Sequence, residues 1–202
     1  MRKQTKLVAV LSAAALLAIG ASMTSFAAAA HWDQQDGEWV FVDRNGDRMT
    51  DVWKKSNGQW YYLDSDGYMA KEQVIEDDED KYYVDANGAR VTNAWVSLDN
   101  DDLYDDSDES ESIDTVWMYF DATGKALGAG SDNGEIKRLP YGDGQSGYFI
   151  FDNDGYMLSG WKRWKKDGST GADADLYYLG TQDEGWARTS FQWLEIDPDI
   201  AA

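Results

Sequence analysis

One unit is written several times in this chain. His31-Trp32-Asp33-Gln34-Gln35-Asp36-Gly37-Glu38-Trp39-Val40-Phe41-Val42-Asp43 lines up without a gap on Val52-Trp53-Lys54-Lys55-Ser56-Asn57-Gly58-Gln59-Trp60-Tyr61-Tyr62-Leu63-Asp64, 21 residues later. Gly46, Gly67 and Gly88 keep the same step, as do Asp43, Asp64 and Asp85. A fixed short period means an array in which each unit buries its apolar face on its neighbours. It also directs the search for function to the contacts between neighbouring units.

Each unit reads as an aromatic, alternating run, a turn with Asn-Gly or Asp-Gly, and a short apolar segment. Trp60-Tyr61-Tyr62-Leu63 and Tyr82-Tyr83-Val84 favour strands. Asn45-Gly46, Asp66-Gly67, Asn87-Gly88 and Asp154-Gly155 favour tight turns. Tyr68-Met69-Ala70 and Arg90-Val91-Thr92 read as returning strands. The expectation is an all-β solenoid of stacked β-hairpins, six in number. Their first strands are expected near Trp39, Trp60, Lys81, Trp117, Tyr148 and Leu176, and their turns at Gly46, Gly67, Gly88, Gly124, Gly155 and Gly185. After Gly88 the glycine spacing widens to 36, 31 and 30 residues. The excess lies in 99–114, almost entirely Asp, Glu and Ser, in the glycine-rich 128–147, and in 165–175, all read as solvated connections between hairpins. Residues 31–98 then form the N-terminal hairpin repeats, 99–114 an acidic insert, 115–194 the C-terminal repeats and 195–202 a tail.

Residues 1–30 have another character. Arg2, Lys3 and Lys6 precede an apolar run from Leu7 to Ile19, and small residues follow to Ala30. This is the pattern of a secretory signal peptide, with cleavage after Ala27, Ala28 or Ala30. The expected location is secreted or cell-surface, with no membrane span after cleavage. The chain has 38 acids against 18 bases, a net charge of −20, which argues against nucleic acid or anionic lipid as partner. Without cysteine it has neither disulfides nor thiolate metal sites. Stability must come from packing, for which ten tryptophans, twelve tyrosines and six phenylalanines are the resource.

Gly58-Gln59-Trp60-Tyr61-Tyr62-Leu63-Asp64-Ser65-Asp66-Gly67-Tyr68-Met69-Ala70 resembles the choline-binding or cell-wall-binding repeat of Gram-positive surface proteins, and the related glucan-binding repeats share the pattern. Phe151-Asp152-Asn153-Asp154-Gly155-Tyr156-Met157-Leu158-Ser159-Gly160-Trp161 resembles it equally well. The resemblance implies a hairpin solenoid that holds a protein noncovalently to a wall polymer, choline-decorated or saccharide. It also implies cages in which a quaternary ammonium sits among aromatic faces of successive hairpins, each ring contributing roughly 0.5–2 kcal/mol. A cage takes one Trp, a second aromatic seven residues on, and a Tyr of the next hairpin. Trp32, Trp39 and Tyr62 satisfy it, as do Trp53, Trp60 and Tyr83. The third copy has Val74 and Lys81 in place of both tryptophans. Trp95 finds its partner position at Trp117, 22 residues on, and Trp161 has Tyr177 beyond another insertion. The Gly before Trp is present only as Gly160, with His31, Val52 and Ala94 elsewhere.

Other readings compete. The same rings could be hairpin-to-hairpin core, with the acidic face binding partners or calcium in a structural or adhesive surface protein. Asp43-Arg44-Asn45-Gly46 and Asp152-Asn153-Asp154-Gly155 resemble half a calcium loop, but Phe41 and Ile150 stand where a further acid is needed. Turn chemistry explains these residues better. His31, the one histidine, lies beside the cleavage region, so no Ser-His-Asp arrangement is placed on a scaffold. No catalytic residue, cofactor or metal ligand is expected.

Overall fold

The computed structural model describes residues 29–99, 115–132, 134–141, 144–164 and 175–179; of Asp99, 161–164 and 175–178 it describes the backbone alone. The expectations for the leader, most of the acidic insert, the Gly185 turn and the tail fall outside these residues. Twelve strands form six antiparallel two-stranded sheets, and no helix occurs among the described residues. β1 (His31–Gln35) pairs with β2 (Glu38–Val42), β3 (Val52–Ser56) with β4 (Gln59–Leu63), and β5 (Gln73–Asp77) with β6 (Asp80–Val84). β7 (Ala94–Asp99) pairs with β8 (Thr115–Phe120), β9 (Glu135–Tyr141) with β10 (Gln145–Phe151), and β11 (Trp161–Trp164) with β12 (Asp175–Tyr178).

The all-β expectation therefore describes this chain, but the phase of each hairpin differs from the reading above. The runs expected as first strands are the second strands of their ladders. The partner is the less aromatic segment before them, such as Trp53-Lys54-Lys55. Its charged residues hide the strand signal. The ladders close at Asp36-Gly37 and Asn57-Gly58, where φ is 57° and 89°, then 48° and 84°. Positive φ at both positions is the twist-matched two-residue hairpin turn. The connections also move. Residues 100–114 and 165–174 join paired strands of single hairpins, and β9 runs through the segment expected as a glycine-rich loop.

The turns at Gly46, Gly67, Gly88, Gly124 and Gly155 exist with another job. Each follows a ladder and returns the chain for a single antiparallel bridge onto it: Val42 with Arg48, Leu63 with Met69, Val84 with Arg90, Phe120 with Ala126, Phe151 with Met157. An aspartate organises each turn. Asp64 Oδ1 accepts hydrogen bonds from the N–H groups of Asp66 (3.0 Å) and Tyr68 (2.9 Å). Asp85 does the same for Asn87 and Ala89, and Asp152 for Asp154 and Tyr156. At Asp43 the bonds from Asp47 and Asn45 hold the carboxyl below the usual carboxylate range. These aspartates satisfy backbone donors inside the turn.

The chain divides into two units, one ending at Ala94 and including Ala122–Gly124, the other made of Trp95–Asp121 and the residues from Lys125. In the first, hairpins pack face to face. Trp32, Trp39 and Phe41 of the β1–β2 hairpin pack on the buried cluster Tyr61, Leu63 and Met69. Trp53 and Tyr62 of the β3–β4 hairpin pack on Ala70, Ile75, Tyr82 and Val84. In the second unit, Trp95 and Trp117 pack on Tyr119, Leu127, Leu139, Tyr141, Phe149, Phe151 and Met157.

Candidate ligand-binding sites between hairpins

The register of a ladder decides which rings can meet. In β3–β4, Trp53 stands opposite Tyr62 and Lys55 opposite Trp60, while Lys54 stands opposite Tyr61 and Val52 opposite Leu63. Side chains alternate across a strand. Trp53, Trp60 and Tyr62 thus share one face, and Tyr61 and Leu63 share the other. The first face meets the following hairpin and the second meets the preceding one.

This parity places the rings differently from the expectation. The third ring of the first site is Tyr61, 5.5 Å from Trp32 edge-on, not Tyr62. In the second site it is Tyr82, 5.2 Å from Trp53, not Tyr83. Tyr62 instead supports Trp53 from within its own hairpin at 5.1 Å, as Phe41 supports Trp32 at 5.3 Å. Tyr83 stands opposite Val74, on the face that lacks both tryptophans. Alternation was the signal that could have found this, since Trp60 and Tyr62 have equal parity.

A third site of the same plan lies in the second unit. Trp95 and Trp117 are brought to one cluster despite their separation in sequence. Phe149 takes the place of Tyr61 and Tyr82, 4.6 Å from Trp95, and Tyr119 supports Trp95 at 5.1 Å. One backbone bond marks the equivalence of all three sites. The carbonyl of the second Trp accepts the N–H of the residue two after the following turn glycine: Trp39 from Met69, Trp60 from Arg90, Trp117 from Met157, each at 2.8 Å. Trp161 opens β11, its backbone opposite Tyr178, and Tyr177 stands opposite Lys162.

All six tryptophans of these sites are half-buried, while the third ring is buried: Tyr61 is 3% exposed, Tyr82 9% and Phe149 1%. Each site is thus a fixed floor with two partly open aromatic walls. Indole N–H groups hold two of the walls. Trp53 Nε1 donates to Asp77 Oδ2 (3.1 Å) and Trp95 Nε1 to the Pro140 carbonyl (3.0 Å). Burial, then the Asp85 carboxylate, pushes the Tyr61 phenol up; burial, then Asp51, Asp77 and Asp64, does so for Tyr62. Both remain neutral rings at ordinary pH. Half-open rings with carboxylates nearby suit a cation without hydrogen-bond donors, and they also suit the apolar face of a sugar. Among the described residues, no group of three or more His, Cys, Asp or Glu side chains could hold a metal ion.

Residues 49–95, which contain the whole second Trp pair, match the family described as choline-binding repeat. This chain carries choline-binding repeats. Solved structures with similarity to these repeats include CbpJ from Streptococcus pneumoniae TIGR4, at 24% identity over 76% of this chain and 41% of that one, TM-score 0.46. Choline binding protein F from the same organism gives 25% identity over 76% and 40%, TM-score 0.45. The choline binding domain of Spr1274 in Streptococcus pneumoniae gives 35% identity over 34% of this chain and 82% of that domain, TM-score 0.31. The chain spans about two fifths of the length of the first two. No curated protein sequence matches.

Proposed function

We propose that this chain is an exported envelope-binding module that attaches noncovalently to a wall polymer of a Gram-positive cell, with choline as the preferred ligand group and a glucan-like saccharide as the alternative. The observation that carries the reading is the recurrence of a half-buried Trp pair facing a buried ring of the next hairpin, in choline-binding repeats. In this reading Trp32, Trp39, Trp53, Trp60, Trp95 and Trp117 supply the ring faces. Tyr61, Tyr82 and Phe149 supply the floors, and Trp161 begins a further copy. Tyr62 is the brace that orients Trp53. The net charge of −20 favours a cationic group over an anionic one. Several weak sites on one polymer add through effective concentration. The function is binding, not catalysis.

Titration of the full chain with choline, read by Trp fluorescence, tests this. Trp39→Phe retains most packing but weakens the attraction of the ring for a cation, and should cost about 1 kcal/mol of choline affinity at that site. A glucan should be less sensitive to the change. A parent that binds glucan and no choline would move the assignment to the saccharide, and a parent that binds neither would end the reading. Export is checked separately: the secreted chain should begin between Ala28 and His31.

A further inference from the structure

Position two after each turn glycine decides what fills a site, and it is not constant. It is Met69 at the first site, Arg90 at the second and Met157 at the third, each fixed by the same 2.8 Å backbone bond to the second Trp. At the second site the side chain is a cation already inside the rings. The Arg90 guanidinium carbon lies 5.3 Å from the centres of Trp53, Trp60 and Tyr82 alike. All three lie inside the range in which a ring face attracts a cation. Lys55, opposite Trp60 on the ladder, adds its ammonium 5.7 Å from the same indole. The matching residue at the first site is Gln34, opposite Trp39.

The arginine has a seat of its own. A Cβ on Gly124 would lie 2.9 Å from Arg90 Nε and 3.0 Å from Cδ, so the bare glycine is what admits the side chain there. Gly88 gives the same room to Met69, where a Cβ would fall 2.9 Å from both Sδ and Cε. The seat is therefore a standard part of the repeat, and its occupant is the variable part. A thioether there leaves the Trp pair without a charge. A guanidinium there occupies the rings with the charge and planar bulk a ligand would bring.

We infer that Arg90 is a specificity residue: it is a built-in cation that closes the Trp53–Trp60–Tyr82 site to quaternary ammonium ligands and leaves them to the methionine sites at Trp32–Trp39–Tyr61 and Trp95–Trp117–Phe149. Two positive groups cannot share one cage, because they exclude each other by volume and by charge. The inference rests on the proposed choline binding, and its test separates the two. Choline is titrated calorimetrically into the full-length parent, Arg90→Met and Met69→Arg, each checked for fold by its far-ultraviolet spectrum. Arg90→Met should add one binding site per chain. Met69→Arg should weaken its own site by about tenfold or more while leaving the rest. Were the parent to bind and Arg90→Met to add no site, the inference would fall and the binding function would stand. Were neither the parent nor Arg90→Met to bind, both would fall. Were only Arg90→Met to bind, Arg90 would be the lock and the parent's binding function would fall. A folded Met69→Arg that binds as the parent does would also overturn the inference, because a guanidinium in that seat would then not close a cage.

Discussion

The first unit keeps a strict 21-residue step, whereas the second stretches the same plan. Trp32 and Trp39, like Trp53 and Trp60, are separated by a short strand pair and a two-residue turn. Trp95 and Trp117 are separated by a connection of 15 further residues, yet they pack on Phe149 and Met157 as the earlier pairs pack on theirs. The second unit also buries more around its Trp pair, adding Leu139 and Tyr141 from β9. What is held constant is the interface between hairpins. The hairpin end, which touches no neighbour, is free to vary in length.

The severest test of this equivalence is to remove the floor ring in each unit. Phe149→Ala should cost about 3–5 kcal/mol in urea unfolding, and Tyr61→Ala a similar amount. A cost below about 1 kcal/mol for Phe149→Ala would mean that the stretched unit does not use that ring as the regular one does.

Next in size are the turn glycines. Gly46 and Gly124 share a φ near 90°, but a Cβ on Gly46 meets nothing within 4 Å and one on Gly124 meets Arg90. Gly46→Ala should cost about 1–2 kcal/mol from backbone strain alone. Gly124→Ala should cost more, and the excess should shrink in an Arg90→Ala background, as a double-mutant cycle would reveal. Equal costs would show that the seat for residue 90 is not tight.

Replacing 100–114 by Asn-Gly would make the fourth hairpin like the first. Stability should change by no more than about 1–2 kcal/mol, in the favourable direction from loop closure. A loss of several kcal/mol would show that the acidic segment is packed, against its composition.

The smallest expected effect separates turn charge from turn shape. Because the folded Asp43 carboxyl titrates below its ordinary value, its ionised form stabilises the fold above the unfolded pKa, and this contribution fades as pH falls through the folded one. Asp43→Asn should therefore melt slightly lower than the parent at pH 7, and the gap should close below about pH 4. A gap that persists in acid would assign the effect to hydrogen-bond geometry.

The repeat, the all-β class and the tryptophan pairs were legible because period and aromatic pattern are local. The Trp95–Trp117 pair was legible only through the resemblance, since 22 residues carry no local signal. Two features were misread for physical reasons. Each repeat has two turns, and the Asp-Gly turn after the aromatic strand is more conspicuous than Asp36-Gly37 or Asn57-Gly58, which close the ladders. The third ring was assigned to Tyr62 and Tyr83 because adjacent tyrosines are equivalent in composition, although their side chains point to opposite faces. Arg90 was read only as part of a returning strand, because its place among three rings depends on a contact between hairpins that no single repeat encodes.

The open space around Gly37 and Gly58 has a practical consequence. Hairpin tips are natural grafting points: the chain itself carries 15 extra residues at one tip and ten at another. A peptide epitope or a small folded cargo spliced between Asp36 and Gly37, or between Asn57 and Gly58, would be displayed at a regular spacing along a scaffold whose anchoring rings lie elsewhere on the hairpins.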